Sequence, residues 1–361
     1  MKYLLPGAGV SLFSAFLATW VSIILARRWG VLDHPGQLKI HRISVPRLGG
    51  LGIVCGTVTG SVVSAFYGLE DWNYWFAPTL GAVGASLVGF ADDLRGLRPS
   101  WKLCGQLVAG LVFLLVSPDG RALLDTLTQV PPALWLELLI VVAIVLLFLA
   151  MTSNAVNLLD GMDAMAGGLG AIMGVFLALS GHLAAAPSVF TVGLCLAAAC
   201  MGFLLFNRPP ARTFMGDCGS LFIGFLLAAL AFEVVLHGKF RGYNLLGVLL
   251  VLSVPLTDTG FAVLRRLLRR GDVFSGDRFH LYDCLHARLG FSIGRTLAVM
   301  YLLAAAGGAL GTCVLAFGSA LMLLAGALFF AVLCFLAICV GCLGRPVFPR
   351  WSIKTEEVIR R

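Results

Sequence analysis

The stretch 133–152, ALWLELLIVVAIVLLFLAMT, decides the fold. Glu137 is its only charge. A helix of this length covers about 30 Å, the thickness of a bilayer's hydrocarbon core. Outward from it the pattern repeats. Eleven segments near 5–25, 48–67, 75–91, 103–117, 133–152, 165–182, 188–206, 220–237, 244–264, 295–316 and 319–342 read as spans. The whole chain is 59% hydrophobic and 12% charged, about half the charge of a soluble domain. Period-two alternation is missing, so a barrel is not expected. The fold class is all-α: a polytopic integral membrane protein of about 11 transmembrane helices.

Charge sets the orientation. The connections 26–48, 94–102, 207–212, 265–295 and 345–361 hold 22 of the 26 Lys and Arg. Basic connections face the cytoplasm. The N-terminus is then periplasmic and the C-terminus cytoplasmic. Arg27 and Arg28 follow the first span with no clear cleavage site, so that span is expected to stay. The net charge of +8 is a topology signal and not a nucleic-acid footprint, because no soluble basic domain exists. We expect one transmembrane catalytic domain over 1–342 and a cytoplasmic tail over 343–361. The ten cysteines are scattered through apolar segments and read as small buried hydrophobes.

Polar motifs gather on the basic side. Directly after the deciding stretch, Asn154, Asn157, Asp160 and Asp163 recur at every third position, with Gly161 between the acids. Three residues fall 60° short of a helical turn, so one continuous helix would aim Asn154 and Asp163 apart. A span ending near Asn157 and a turn at Gly161 would aim Asp160 and Asp163 at one place. Helix capping alone does not account for the two asparagines. Upstream, Asp92 and Asp93 close the third span. Adjacent carboxylates repel unless a cation stands between them, and Mg2+ favours carboxylate and phosphate oxygens.

Downstream runs Phe206-Asn207-Arg-Pro-Pro-Ala-Arg-Thr-Phe214-Met-Gly216-Asp217-Cys-Gly219-Ser220. Here glycines allow close backbone approach, and the next helix offers free N–H groups to a phosphate. In the 265–294 connection, Arg278 and His280 suit an anionic diphosphate. Arg265 to Arg270 read as solvated topology charges. Lys39 and His41, with Asp33 and Arg47, form a smaller patch of the same kind. Asp258 lies near enough to the cytoplasmic end to support the site. Glu233 lies toward the other end and is left out.

Together the N-x-x-N-x-x-D-G-x-D and F-M-G-D-x-G-S strings, the Asp pair and His280 resemble the polyprenyl-phosphate N-acetylhexosamine-1-phosphate transferase family, over about 30–290. The resemblance implies Mg2+-dependent transfer of a sugar 1-phosphate from a UDP-N-acetylhexosamine to undecaprenyl phosphate at the bacterial inner membrane, with release of UMP. It also implies roles: metal ligation for Asp217, with Mg2+ or alternatively Mn2+, and catalysis for Asp92, Asp93, Asp160 and Asp163. Lys39, His41, Asn154, Asn157, Asn207, Arg278 and His280 are the expected substrate-binding residues, and a homodimer is a candidate assembly. The family's last-loop H-x-H-H appears here as His280-Leu-Tyr-Asp283. That departure points away from peptidoglycan-precursor transferases and toward enzymes that start O-antigen, capsule or similar glycans. A flippase would carry its polar residues at midplane in broken helices, and an inactive scaffold would not need the complete acidic set.

Overall fold

The computed structural model describes residues 4–35, 43–67, 72–129, 131–239, 241–269 and 277–343. Among the described residues, fourteen α-helices run in chain order. They are α1 (Leu4–Trp29), α2 (Gly50–Phe66), α3 (Trp72–Arg95), α4 (Pro99–Val116), α5 (Pro118–Gln129), α6 (Trp135–Leu159) and α7 (Met165–Leu183). There follow α8 (Pro187–Asn207), α9 (Gly216–His237), α10 (Arg241–Val251), α11 (Ser253–Leu268), α12 (Leu281–Asp283), α13 (Ile293–Phe317) and α14 (Ala320–Val340). A two-residue ribbon pairs β1 (Leu32–Asp33) with β2 (Val45–Pro46), antiparallel.

Among the described residues, nine helices are long and apolar enough to cross a membrane, and the bent pair α10–α11 makes a tenth. Every expected span coincides with one of these or with α2, which at 17 residues is shorter. Two details differ from expectation. The connection 118–132 is not open chain, because 118–129 forms the amphipathic helix α5. The span expected over 244–264 turns by 80° at Leu252. The expected tail lies outside the described residues from 344 onward.

The chain falls into two compact units, Met1–Arg241 and Gly242–Arg361. In the first, α9 is the core element: every residue from Cys218 to Ala231 is buried. Small residues set how closely its neighbours approach. On α2, Gly52, Gly56 and Gly60 recur one turn apart and meet Thr19, Ala15 and Ser11 of α1. A Cβ at Gly56 would stand 2.6 Å from the Ser11 carbonyl oxygen, so only glycine permits this spacing. In lipid, where both partner and solvent are apolar, such close packing drives helix association. The Ser11 hydroxyl adds a hydrogen bond across the seam, donating to the Gly56 carbonyl at 2.8 Å.

The second unit holds the α10–α11 bend, the short α12, a single π turn over Cys284–Arg288, and the α13 and α14 helices.

Candidate active site

The site of the first unit is built on the N-terminus of α9. Gly216 enters that helix with φ +70°, a left-handed conformation that suits glycine. A Cβ there would stand 2.3 Å from the Arg47 carbonyl oxygen and 2.6 Å from Asp93 Oδ2. The preceding residues are held in place by the chain around β2. Pro46 O accepts from Phe214 N at 2.8 Å and from Thr213 Oγ1 at 3.0 Å. Gly49 N and Gly50 N donate to the carbonyls of Phe214 and Met215, each at 2.9 Å.

Helix α3 passes close enough to bring its acidic end onto this terminus. A Cβ at Gly89 would lie 2.3 Å from Asp217 O, so the missing side chain sets the contact. One turn later the fully buried Asp93 carboxylate accepts from two free N–H groups of α9. Its oxygens take Asp217 N and Cys218 N, each at 3.0 Å. An acid here satisfies orphan donors and complements the helix dipole. Asp93 thereby positions Asp217.

Asp92 faces the other way along α4. Its oxygens accept from Leu97 N at 2.5 Å and from Lys102 Nζ at 3.1 Å. Lys102 Nζ also donates to Asp217 Oδ2, so one ammonium bridges two carboxylates. Arg47 stands opposite, with Nη2 3.3 Å from Asp93 Oδ1 and 3.8 Å from Asp217 Oδ1. Asp160 ends α6 beside this group. Burial, then the charges of Asp217 and Asp93, push its carboxyl well above the usual range, with Arg47 opposing. Four carboxylates thus meet two cationic side chains.

Among the expected site residues, Asp92, Asp93, Asp160 and Asp217 gather here, with Asn157 beside them. Asn157 Nδ2 donates to Ser220 Oγ at 2.8 Å, and Ser220 Oγ to Gly216 O at 3.1 Å, which secures the first turn of α9. The other polar residues of the two motifs hold framework contacts. Asn154 Nδ2 donates to Gln106 Oε1 at 2.7 Å, joining α6 to α4. Asp163 Oδ2 accepts from Ala211 N at 2.9 Å. Asn207 is buried, accepts from Ala164 N and donates to Thr213 O, both at 2.8 Å. Lys39 and His41 lie outside the described residues.

Lys102 joins this cluster without being among the residues expected from sequence. Its only signal in sequence is a lone cation near Asp92, because hydropathy begins the span at 103. Pro99 at the first helical positions starts α4 earlier and draws Lys102 into the helix.

Could these residues hold a divalent cation? Among the described residues, no three His, Cys, Asp or Glu side chains form a metal cage. Mg2+ does not demand one, because it binds through one or two carboxylates, substrate phosphates and water. Asp93 has both oxygens committed to backbone and Asp92 has both committed to Leu97 and Lys102. Asp217 Oδ2 shares Lys102 with Asp92, but its Oδ1 stands 3.8 Å from Arg47, beyond hydrogen-bond distance. That oxygen and the Asp160 carboxyl are the donors left to serve, and hard oxygens suit such an ion.

The 265–294 connection belongs to the second unit, where its described residues form a network. His280 Nδ1 lies 2.6 Å from Asp258 Oδ2, and Leu281 N donates to Asp258 Oδ1 at 2.6 Å. The supporting place expected for Asp258 is therefore against His280. Arg278 is exposed. Arg265 corrects the expectation of a solvated charge. It is 1% exposed, donates to both Asp277 oxygens, and reaches the carbonyls of Phe279 and Cys342. Arg266 joins it on Asp277 at 3.1 Å. Burial acts to raise the Asp277 pKa, but these arginines overcome it and hold the carboxyl below its ordinary range. Asp283, at the last position of the altered histidine string, is pushed up to about 6 by burial, with His280 and Arg278 opposing.

His280 gives a pH test. Burial lowers its pKa, but the Asp258 hydrogen bond and the nearby acids outweigh this and raise it above 6.5. The pairing therefore contributes stability that is complete below about pH 6.5 and is lost as pH rises through the raised value. We expect Asp258→Asn to lower the unfolding temperature most near about pH 6 and progressively less toward about pH 9. A difference that stays constant across that range would remove the ionic reading.

Comparison with known proteins bears on this geometry. The glycosyl transferase family 4 model matches residues 75–235, the stretch from α3 through α9 that carries the acidic cluster. The chain is 31% identical to a probable undecaprenyl-phosphate N-acetylglucosaminyl 1-phosphate transferase of Bacillus subtilis, over 81% of this chain and 80% of that protein. It is 31% identical to a decaprenyl-phosphate N-acetylglucosaminephosphotransferase of Mycobacterium tuberculosis, over 80% and 76%. It is also 32% identical to a phospho-N-acetylmuramoyl-pentapeptide-transferase of Thermobifida fusca, over 64% and 76%. The chain belongs to glycosyl transferase family 4 and is a membrane-embedded transferase of that family.

Proposed function

We propose that this enzyme transfers a HexNAc 1-phosphate from a UDP-sugar to undecaprenyl phosphate and so starts a lipid-linked surface glycan. The observation that carries the proposal is the acidic cluster at the α9 N-terminus, closed by Lys102 and Arg47. Both substrates are anions, so the reaction needs charge neutralisation and alignment more than covalent help. An oxygen of the lipid phosphate attacks the phosphorus that bears the sugar. A new P–O–P linkage forms, the bond to the UMP oxygen breaks, and UMP leaves with that electron pair.

Lys102 and Arg47 supply positive charge where the two phosphates meet. Asp93 holds Asp217 and the α9 amides in register. Asp217, with Asp160, would hold Mg2+, which offsets charge on the diphosphate and the departing UMP. The lipid phosphate is already mostly ionised at neutral pH, so Asp92 serves alignment more than proton removal. An apolar groove between α3 and α4, lined by Leu87, Trp101 and Val108 among others, would take the isoprenoid chain. Five relatives named for N-acetylglucosamine phosphate transfer match 80–82% of the chain, and three named for the pentapeptide match 53–64%. That difference in coverage supports a GlcNAc-type donor.

The test is purified protein with undecaprenyl phosphate, Mg2+ and a panel of UDP-N-acetyl sugars, scored for UMP. Release with a GlcNAc-type donor and none with the muramoyl-pentapeptide donor is the expected result. No release with any donor would overturn the proposal.

We place the site on the cytoplasmic side of a bacterial inner membrane, where nucleotide sugars are made. Reporter fusions after residues 100 and 215 should then report cytoplasm, and one near 125 periplasm. The reverse pattern would sink the model.

A further inference from the structure

A second cavity, of about 480 Å3, opens where the C-terminal turns of α1 and α8 meet the β2 segment. Its apolar side is formed by Trp20, Ile23, Val45 and Phe206, and its polar side by Arg27 and Arg212. Arg27 lies in the last turn of α1 and Arg212 in the segment just beyond α8. Both arginines are exposed, and neither has an ion-pair partner among the described residues.

The walls are fixed by the fold. Ala211 N is tied to Asp163, and Arg212 N donates to Phe206 O at 2.8 Å. Phe206 packs on Phe16 of α1 with ring centroids 5.1 Å apart. Two guanidinium groups therefore stand over an apolar cleft at the ends of two span-length helices. That combination fits an amphiphilic anion whose head lies at the membrane surface. A nucleotide fits poorly, because Ser44, the other polar side chain of the lining, already bonds His34 at 3.0 Å. A zwitterionic choline lipid would bring its own cation toward the two arginines.

We propose that this cavity binds an anionic phospholipid of the membrane. Arg27 and Arg212 take the phosphodiester, and Trp20, Ile23 and Phe206 take the upper part of an acyl chain. The site is separate from the acidic cluster, but it shares a wall with it. Val45 and Pro46 line the cavity, and the next residue, Arg47, reaches Asp93 and Asp217. A bound lipid would brace the segment that sets Arg47.

The experiment is native mass spectrometry of the full chain in detergent. It is titrated with phosphatidylglycerol, with phosphatidylcholine of the same chains, and with glycerol phosphate. The wild type should retain one phosphatidylglycerol in preference to the other two. The double substitution R27Q/R212Q should weaken retention roughly 30-fold, about fivefold for each cation at a membrane surface. R28Q, which changes a neighbouring arginine outside the cavity lining, should weaken retention clearly less than R27Q or R212Q alone. R27K/R212K should keep most of the binding. Four results would each overturn the proposal: equal retention of phosphatidylcholine, equal binding of glycerol phosphate, full retention by R27Q/R212Q, or an equal loss in R28Q. Should R27Q/R212Q fail to fold, the wild-type comparison of lipids and the lysine variant still decide.

Discussion

Asp217→Asn should remove UMP release, by roughly 10^3-fold or more, while the protein stays folded in detergent. The size follows from the several kcal/mol that a bound divalent cation contributes at reacting phosphates. Asp217 sits in the first turn of α9 and has one oxygen on Lys102 and the other facing Arg47. Asparagine keeps the shape and leaves the backbone N–H on Asp93, so α9 keeps its cap. It loses the charge that would hold Mg2+. The loss should therefore fall on turnover and on Mg2+ dependence and leave the unfolding temperature nearly unchanged. Asp163→Asn is the contrast, because Asp163 binds Ala211 N in the framework. Its effect should fall on stability more than on turnover. Full activity in Asp217→Asn would remove the metal assignment, whatever became of the family membership.

The sequence reveals the spans because hydropathy is a property of contiguous chain, and it reveals the acids because charge near a bilayer is costly and conspicuous. It does not reveal pairings between helices. Asp92 and Asp93 are neighbours with the same chemistry, yet one faces Lys102 and the other caps α9. That split depends on Gly89 letting α3 approach Asp217, a contact between residues 128 positions apart. The every-third-residue asparagines and acids suggest one shared task. The fold gives them different partners: Asn157 and Asp160 stand at the site, Asn154 binds Gln106, and Asp163 takes Ala211 N while its charge still acts on Asp160. Arg265 looked like one of several topology charges. Its burial follows from Asp277, Phe279 and Cys342 converging on it, which no local pattern announces. The bend at Leu252 was equally hidden, because hydropathy continues across it.

Lys102→Gln should raise the KM for the UDP-sugar roughly tenfold or more and lower the concentration of Mg2+ needed for half-maximal rate. The two shifts have opposite signs for one physical reason. Lys102 places a single positive charge between Asp92 and Asp217 in a partly buried site, where charges are weakly screened. Without it the carboxylates face each other uncompensated. The site then attracts a divalent cation more strongly and repels a diphosphate more strongly. A merely structural lysine would change stability and leave the two constants moving together or not at all. Lys102→Arg restores the charge but not the compact ammonium that fits between two carboxylates, so it should recover donor affinity only in part. The measurement is initial rate over a grid of donor and Mg2+ concentrations for the wild type and both variants. If the donor KM is unchanged in Lys102→Gln, the ammonium does not meet the substrate. The positive charge at the site would then rest with Arg47 and the free amides of α9.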